Sequence, residues 1–301
     1  MYKQFGVREI CNVVFKAKTD RTIGKKTFKA GQPVIYFDSL KTSSIEGAST
    51  TVYAQGGRGN PRLIAWEGER TVTFTMEDAL ISPIGFAILS GAGLIEADNT
   101  ATRATHITER VTKDATALDG LKKRVGDASD PTALATEFPI YGLVMAGDVI
   151  LDSIDITATK ESDIISAVQT AITTTYKTQK ADAVLLDYYV TKGAGLTQID
   201  IEPDKFGGNF YIEAETLFRD KDGADHAAEF IIPNGKVQSN FTFTMASSGD
   251  PSTFTFTVDA FPGYTKFDNS KKVMASLQII DESPVVGLTY DVVEEAQEPN
   301  A

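Results

Sequence analysis

Two histidines, one cysteine and one tryptophan are the scarce reactive side chains of this sequence, and their surroundings decide which chemistries are open to it. His106 and His226 each lack a second histidine at ligand spacing, and no cysteine pair stands near either, so zinc has no ligand set. The run Asp220-Lys-Asp-Gly-Ala-Asp225 has the acidic spacing of a calcium loop, in which carboxylates converge on one hard cation. Its glycine comes at the fourth position and the closing Glu is out of register; a hydrophilic hairpin tip explains the same residues. Cys11 lies in the apolar run Ile10-Cys-Asn-Val-Val-Phe15 and reads as a buried small hydrophobe. No serine elbow and no cysteine–histidine signature accompanies these residues. Carboxylates are abundant, but abundance does not define an acid/base pair.

Two further features invite a binding role. The stretch Gly56-Gly-Arg-Gly-Asn-Pro61 is glycine-rich enough for a phosphate loop, yet neither a following helix nor a Lys-Ser/Thr pair completes it. It reads as a mobile loop or a place of close backbone approach. Trp66, beside apolar strand residues, reads as core and not as a binding platform. No catalytic residue, no metal and no cofactor is expected, and an enzyme is not expected.

The elements that carry these residues are mostly strands. Residues 240–245 and 252–258 alternate Phe or Met with Thr, so Phe241, Phe243 and Met245 share one side and Thr242 and Thr244 the other. With the Ser, Gly, Asp and Pro residues of 246–252 between them, they read as two long strands of a hairpin. Residues 9–17 and 33–38 are short apolar strands joined by a basic connection, and 39–60 turns polar. Residues 63–66 lead into a Thr-alternating strand at 71–76. A period change at 77–91 then marks a short helix, with Ser82 or Asp78 as cap, Pro83 in the first turn and Leu80, Ile84, Ala87 and Ile88 on one face. Residues 105–112, 183–191 and 196–201 read as strands, 126–131 as a turn, 139–156 as extended, and 160–177 as compatible with a helix that ends in a threonine run. Strands at 209–218, 227–233 and 273–280, with a hairpin turn at Asn234-Gly235, complete a meander of about five.

A chain of 301 residues with 42% hydrophobic and 23% charged residues can bury a sizeable core. The net charge of −12 argues against sequence-reading nucleic-acid binding without excluding a protein that lets DNA slide past. The first residues carry no long apolar run, so neither a leader nor an anchor is expected, no window is long enough to span a bilayer, and synthesis in a reducing cytoplasm follows. Charge is polarised: Lys16, Lys18, Arg21, Lys25, Lys26 and Lys29 crowd the first 31 residues, whereas 281–301 carries acidic residues and no base. A solvated basic edge with an acidic tail accounts for this, and so does head-to-tail attraction between copies.

The block through Gly56-Gly-Arg-Gly-Asn-Pro61, Trp66-Glu-Gly-Glu-Arg70 and Thr71-Val-Thr-Phe-Thr-Met-Glu-Asp-Ala-Leu80 resembles structural proteins of tailed-phage virions, in particular tail tube proteins. So does the pattern from Ile231-Ile-Pro-Asn-Gly-Lys236 to Asp259-Ala-Phe-Pro-Gly263. The resemblance implies a mainly β (α+β) fold, an antiparallel β-sandwich or barrel-like core with a flanking short helix. It also implies hexameric rings stacked into a hollow tail tube through which the genome passes. The core is then expected from 1–96 and 206–290, with 97–205 an elaboration or second lobe and 291–301 an acidic tail. The expected location is the virion tail. Expected partners are other copies of the chain, the tail sheath, baseplate and tape-measure proteins, and viral DNA that passes without sequence-specific binding; no membrane is expected. Lys25, Lys26 and Lys29 are the candidates for contact between rings, and Thr242, Thr244, Thr255, Thr257 and Arg58 for strand or loop contacts between subunits. Another virion component (baseplate, tail-completion or capsid-decorating) would share the Thr-rich strands. An adhesive or carbohydrate-binding β-domain should instead show a leader and clustered exposed aromatics, neither of which is evident in the sequence.

Overall fold

A computed structural model describes residues 4–7, 9–98, 100–125, 134–242, 247 and 253–280. In chain order, β1 (Phe5–Val7), β2 (Asn12–Ala17), β3 (Arg21–Ile23), β4 (Lys26–Phe28) and β5 (Pro33–Phe37) precede two long strands, β6 (Leu40–Gln55) and β7 (Arg62–Asp78). Helix α1 (Pro83–Ser90), β8 (Gly93–Glu96), β9 (Arg103–Thr112), α2 (Asp119–Val125), β10 (Ile140–Ala146), β11 (Val149–Ile156), α3 (Glu161–Thr170), β12 (Ala183–Lys192) and β13 (Thr197–Asp200) follow. The chain closes with β14 (Asn209–Asp220), β15 (Asp225–Val237), β16 (Phe254–Ala260) and β17 (Ser276–Ile279). It divides into two compact units, one drawn from Met1–Leu94 and Ile199–Ala301, the other Ile95–Gln198.

In the first unit one antiparallel sheet runs β5-β2-β14-β15-β16-β7-β6, with β1 beside β14 and β17 beside β15. The period-2 pattern sends Val13, Phe15 and Ala17 of β2, Phe210, Ile212 and Ala214 of β14, and Phe254, Phe256 and Val258 of β16 into a single core. Phe37 on β5 and Phe256 on β16 are four ladder steps apart, about 19 Å on a flat sheet. Their ring centroids lie 5.0 Å apart, so the sheet folds over on itself into the sandwich-like layout expected from the sequence. Helix α1 buries Phe86, Ile88 and Leu89 in the same core. Ser82 caps it by accepting from the Gly85 amide, Pro83 occupies the first turn, and Gly91 ends it.

The second unit is a four-stranded antiparallel sheet, β11-β10-β12-β9. Val184, Leu186, Tyr188 and Val190 of β12 point into a core shared with Ile164, Ile165 and Val168 of α3. The Tyr188 hydroxyl donates to Glu109 at 2.5 Å, and the same carboxylate accepts the Gly120 amide at the start of α2. Burial, then that hydrogen bond, pushes the Tyr188 phenol far above its ordinary range.

Several expectations are corrected by the ladder. Residues 240–242 are not in a strand, and 243–246 and 248–252 lie outside the described residues; β16 pairs instead with β15 and β7. Asn234-Gly235 is no turn: Pro233 and Asn234 together oppose Tyr211, a bulge inside β15 that also accommodates the missing proline N–H. The polar stretch 39–60 is mostly β6, paired with β7 along nearly its whole length. Leu80 is exposed and precedes α1, off its core face. Residues 139–156 fold back as the β10–β11 pair, and α3 loosens into a π turn at Ala171–Thr175, where β-branched side chains crowd a regular helix. Helix α2 has too few turns to show a period in the sequence, and the turn expected at 126–131 lies outside the described residues.

Candidate functional site

The outer half of the β6–β7 hairpin leaves the core and is exposed on both faces. At the sheet end Leu40, Phe74 and Met76 are buried, whereas from Gly47 outward and up to Arg70 almost every residue is exposed. About nine residue pairs at about 3.3 Å per residue make an arm roughly 30 Å long. Threonine, valine and aromatic residues supply the strand preference, and the ladder holds through Val52↔Trp66, Tyr53↔Ala65 and Ala54↔Ile64.

Two local devices shape the arm. Between Ser49↔Arg70 and Thr51↔Glu67, β7 holds two residues, Gly68 and Glu69, against Thr50 alone. The Thr50 hydroxyl accepts the Glu69 amide at 2.9 Å, and a Cβ on Gly68 would stand 2.5 Å from that oxygen, so only glycine fits the bulge as built. At the tip, the Asn60 amide donates to the Gly57 carbonyl, with Gly57 and Gly59 at φ of 85° and 89°. A Cβ at either would meet nothing within 4 Å, so the glycines serve backbone conformation and not close approach. The glycine-rich stretch is thus a hydrogen-bonded hairpin tip, and Arg58 is its outermost cation.

The two faces of the arm differ. Val52, Ala54, Ile64 and Trp66 form directly opposed pairs on one face, with Val52 61%, Ile64 54% and Trp66 53% exposed. Trp66 was expected in the core; the ladder carries it beyond the core on an extended strand, and its indole faces solvent. The other face is mixed: the Arg62 guanidinium lies 4.0 Å over the Tyr53 ring, beside Thr51 and Glu67. At the foot of the arm a largely apolar groove of about 500 Å³ is lined by Ile45, Val72, Val273, Met274 and Ala275, with Arg70 also on its wall.

The other residues singled out from the sequence fall on separate elements. Lys25 and Lys26 are on the small β3–β4 hairpin and Lys29 follows it. Lys29 donates to Asp20 at 2.7 Å; that bond and the Ala30 amide hold the Asp20 carboxyl below its ordinary range, while Asp20 raises the lysine. Thr255 and Thr257 lie on β16 opposite Glu77 and Thr75 of β7, so one edge of this stretch is paired within the chain. Thr242 is exposed outside any strand, and Thr244 lies outside the described residues. Cys11 is buried as expected, its thiol pushed up by burial. The turn at 220–225 closes on itself: Asp220 accepts the Asp222 and Ala224 amides and faces His226 Nε2 at 3.0 Å. Among the described residues no cluster of three or more His, Cys, Asp or Glu side chains could hold a metal, and no helix is long and apolar enough to cross a membrane.

A family model described as the YomU/Tube protein family matches residues 7–124 and 144–277, which includes the whole arm and most of both units. No curated protein matches the chain.

Proposed function

The chain belongs to the YomU/Tube protein family and is a phage tail structural protein, and from there we propose that it is the tube subunit itself, closing into rings of six that stack into a hollow tail tube for the genome. The exposed arm is the observation that carries this reading. A two-stranded ribbon is at best marginally stable alone in water, and an uncovered row of Val52, Ile64 and Trp66 gains most by being buried against a second copy. The arm of one subunit lies on the next ring, with the groove at the foot of the arm as an apolar receiving surface. Within a ring, β5 and β6, the two ends of the sheet path, offer backbone edges through which neighbours continue one sheet. Lys25, Lys26 and Lys29 face acidic or polar groups of the adjoining ring and set its orientation. The net charge of −12 favours a lumen that repels phosphate, so DNA passes without adhering. The role is structural and not catalytic, the subunit is made in the host cytoplasm, and sheath, baseplate and tape-measure proteins are its further partners.

Negative-stain electron microscopy with sedimentation, over a concentration series, tests this. Hollow filaments with a regular axial repeat are expected. Closed rings or discrete particles that never stack would overturn the tube reading and favour a baseplate, tail-completion or capsid-decorating role.

A further inference from the structure

The sheet of Ile95–Gln198 has a second face, opposite its core, and that face carries a cluster with no part in the arm. Register sets Asp155 opposite Tyr141, Tyr141 opposite Asp187, and Asp187 opposite Thr108, one row across all four strands. At about 4.8 Å per strand the row is about 14 Å long, the reach of a short chain of sugar rings. Two residues along, Tyr189 lies opposite His106. Phe138 stacks on Tyr189 with centroids 4.6 Å apart and planes at 29°, and the His106 ring lies 5.1 Å from Tyr189 at a tilt of 50°. His106 Nε2 is 3.0 Å from the Asp187 carboxylate, and both side chains are half-exposed. Tyr141 is 45% and Phe138 38% exposed.

We propose that this face is a saccharide-binding site. A pyranose ring presents apolar C–H faces and a hydroxyl rim. Aromatic faces, negative at the centre, attract the C–H groups, and carboxylates accept strong hydrogen bonds from hydroxyls. The exposed Tyr141 ring and the outer side of the Phe138–Tyr189 stack supply the first, while Asp155, Asp187, His106 and Thr108 on the two ladder rows supply the second. The charge pattern selects among partners. A nucleic acid would also stack on the rings but needs a cationic track, and two carboxylates stand here instead. Arg110, the cation next along β9, is turned to the Gly147 carbonyl and Asp182. A protein partner favours an interface centre depleted of charge, whereas Asp187 sits among the aromatics. Phe138 and Tyr141 fall between the two segments that match the family, so family membership does not account for them. The clustered exposed aromatics not evident in the sequence arise here from pairing of β9, β10 and β12.

The test is affinity electrophoresis of the full chain through native gels containing hydroxyethyl cellulose, glucomannan or solubilised peptidoglycan fragments. Retardation by at least one is expected, reduced at least tenfold in Tyr141→Ala and in Asp187→Asn, and retained in Tyr189→Phe, which keeps the ring. Absence of retardation on all three, or undiminished retardation of a folded Tyr141→Ala, would overturn the proposal. So would a Tyr141→Ala variant whose sedimentation shows lost self-association, since that would assign the face to contacts between copies.

Discussion

Trp66→Ala is the perturbation that separates the arm's role in assembly from any role in folding. A tryptophan presents about 250 Å² in all, so at 53% exposure about 130 Å² is left to be covered when the arm docks. At about 25 cal/mol/Å² that burial is worth about 3 kcal/mol for each arm contact. Each subunit added to a growing tube brings one arm, and 1.4 kcal/mol is a factor of ten. The critical concentration for assembly should therefore rise about 100-fold in the variant. Folding should barely notice: within the chain Trp66 has its cross-strand partner Val52, a pair worth about 0.2 to 1 kcal/mol, and it lies outside the buried core. Sedimentation of both proteins over a concentration series reads the first quantity, and thermal unfolding reads the second. Because Trp66 is the sole tryptophan, its emission in the wild type reports the docking directly, red-shifted and open to acrylamide in the free chain, blue-shifted and protected in filaments. Equal critical concentrations, or filaments in which the emission does not move, would refute the argument.

Gly68→Val places a branched side chain against Thr50 and should break the hydroxyl's bond to the Glu69 amide, a loss of about 1 kcal/mol confined to the arm; hydrogen exchange should speed up at 49–51 and 67–70 while the core melts unchanged, and unaltered exchange would contradict the bulge. Reversing Lys25, Lys26 and Lys29 to Glu should slow or abolish filament growth while the core stays folded, the lost Lys29–Asp20 pair being felt only at the exposed β3–β4 hairpin, and growth at the wild-type rate in light scattering would remove these lysines from the contact between rings. Asp220 is held below its ordinary range first by its bond to His226 and then by the Ala224 amide. A depressed carboxylate stabilises the fold above its unfolded value of about 3.9, and that contribution is lost as pH falls through the lower folded value. Asp220→Asn should accordingly flatten the acid limb of unfolding below about pH 4, and an acid limb as steep as the wild type's would count against the pairing. The Cys11 thiol, buried and pushed up, should react with a disulfide reagent far more slowly in the folded chain than in denaturant; comparable rates would deny its burial.

The parts of the fold that announced themselves are those in which local pattern and final environment agree. Ser82, Pro83 and Gly91 mark α1 in the sequence because capping and helix termination act over a few residues, and the helix forms between them. The alternation at β14 and β16 is legible because one face of each strand is buried, which forces a period of two. Where both faces meet water, as in residues 47–55 of β6, no burial imposes that period, and a strand written in Ser, Thr and Gly looks like a loop. Asn234-Gly235 has the composition of a hairpin turn, yet β15 continues past it, and pairing with β14 makes the extra residue a bulge. The same limit hid Trp66: its neighbours are those of a core strand, and only the length of the hairpin shows that they outrun the core.

By itself the sequence determined the mainly β character, the short core helix, the buried cysteine, and a likeness to tail tube proteins that the family match bears out. These rest on interactions between residues near in sequence or on pattern over a window, and both are written linearly. The tertiary structure alone decided that the sheet folds back to bring Phe37 onto Phe256 and that the apolar row Val52, Ile64 and Trp66 stands uncovered. It also decided that Phe138, Tyr189, His106, Tyr141 and Asp187 share one surface. The first rests on how the sheet bends to bury its aromatic face, and the other two on strand register, which joins residues far apart in the chain and whose shift by one residue would turn each strand side chain to the opposite face.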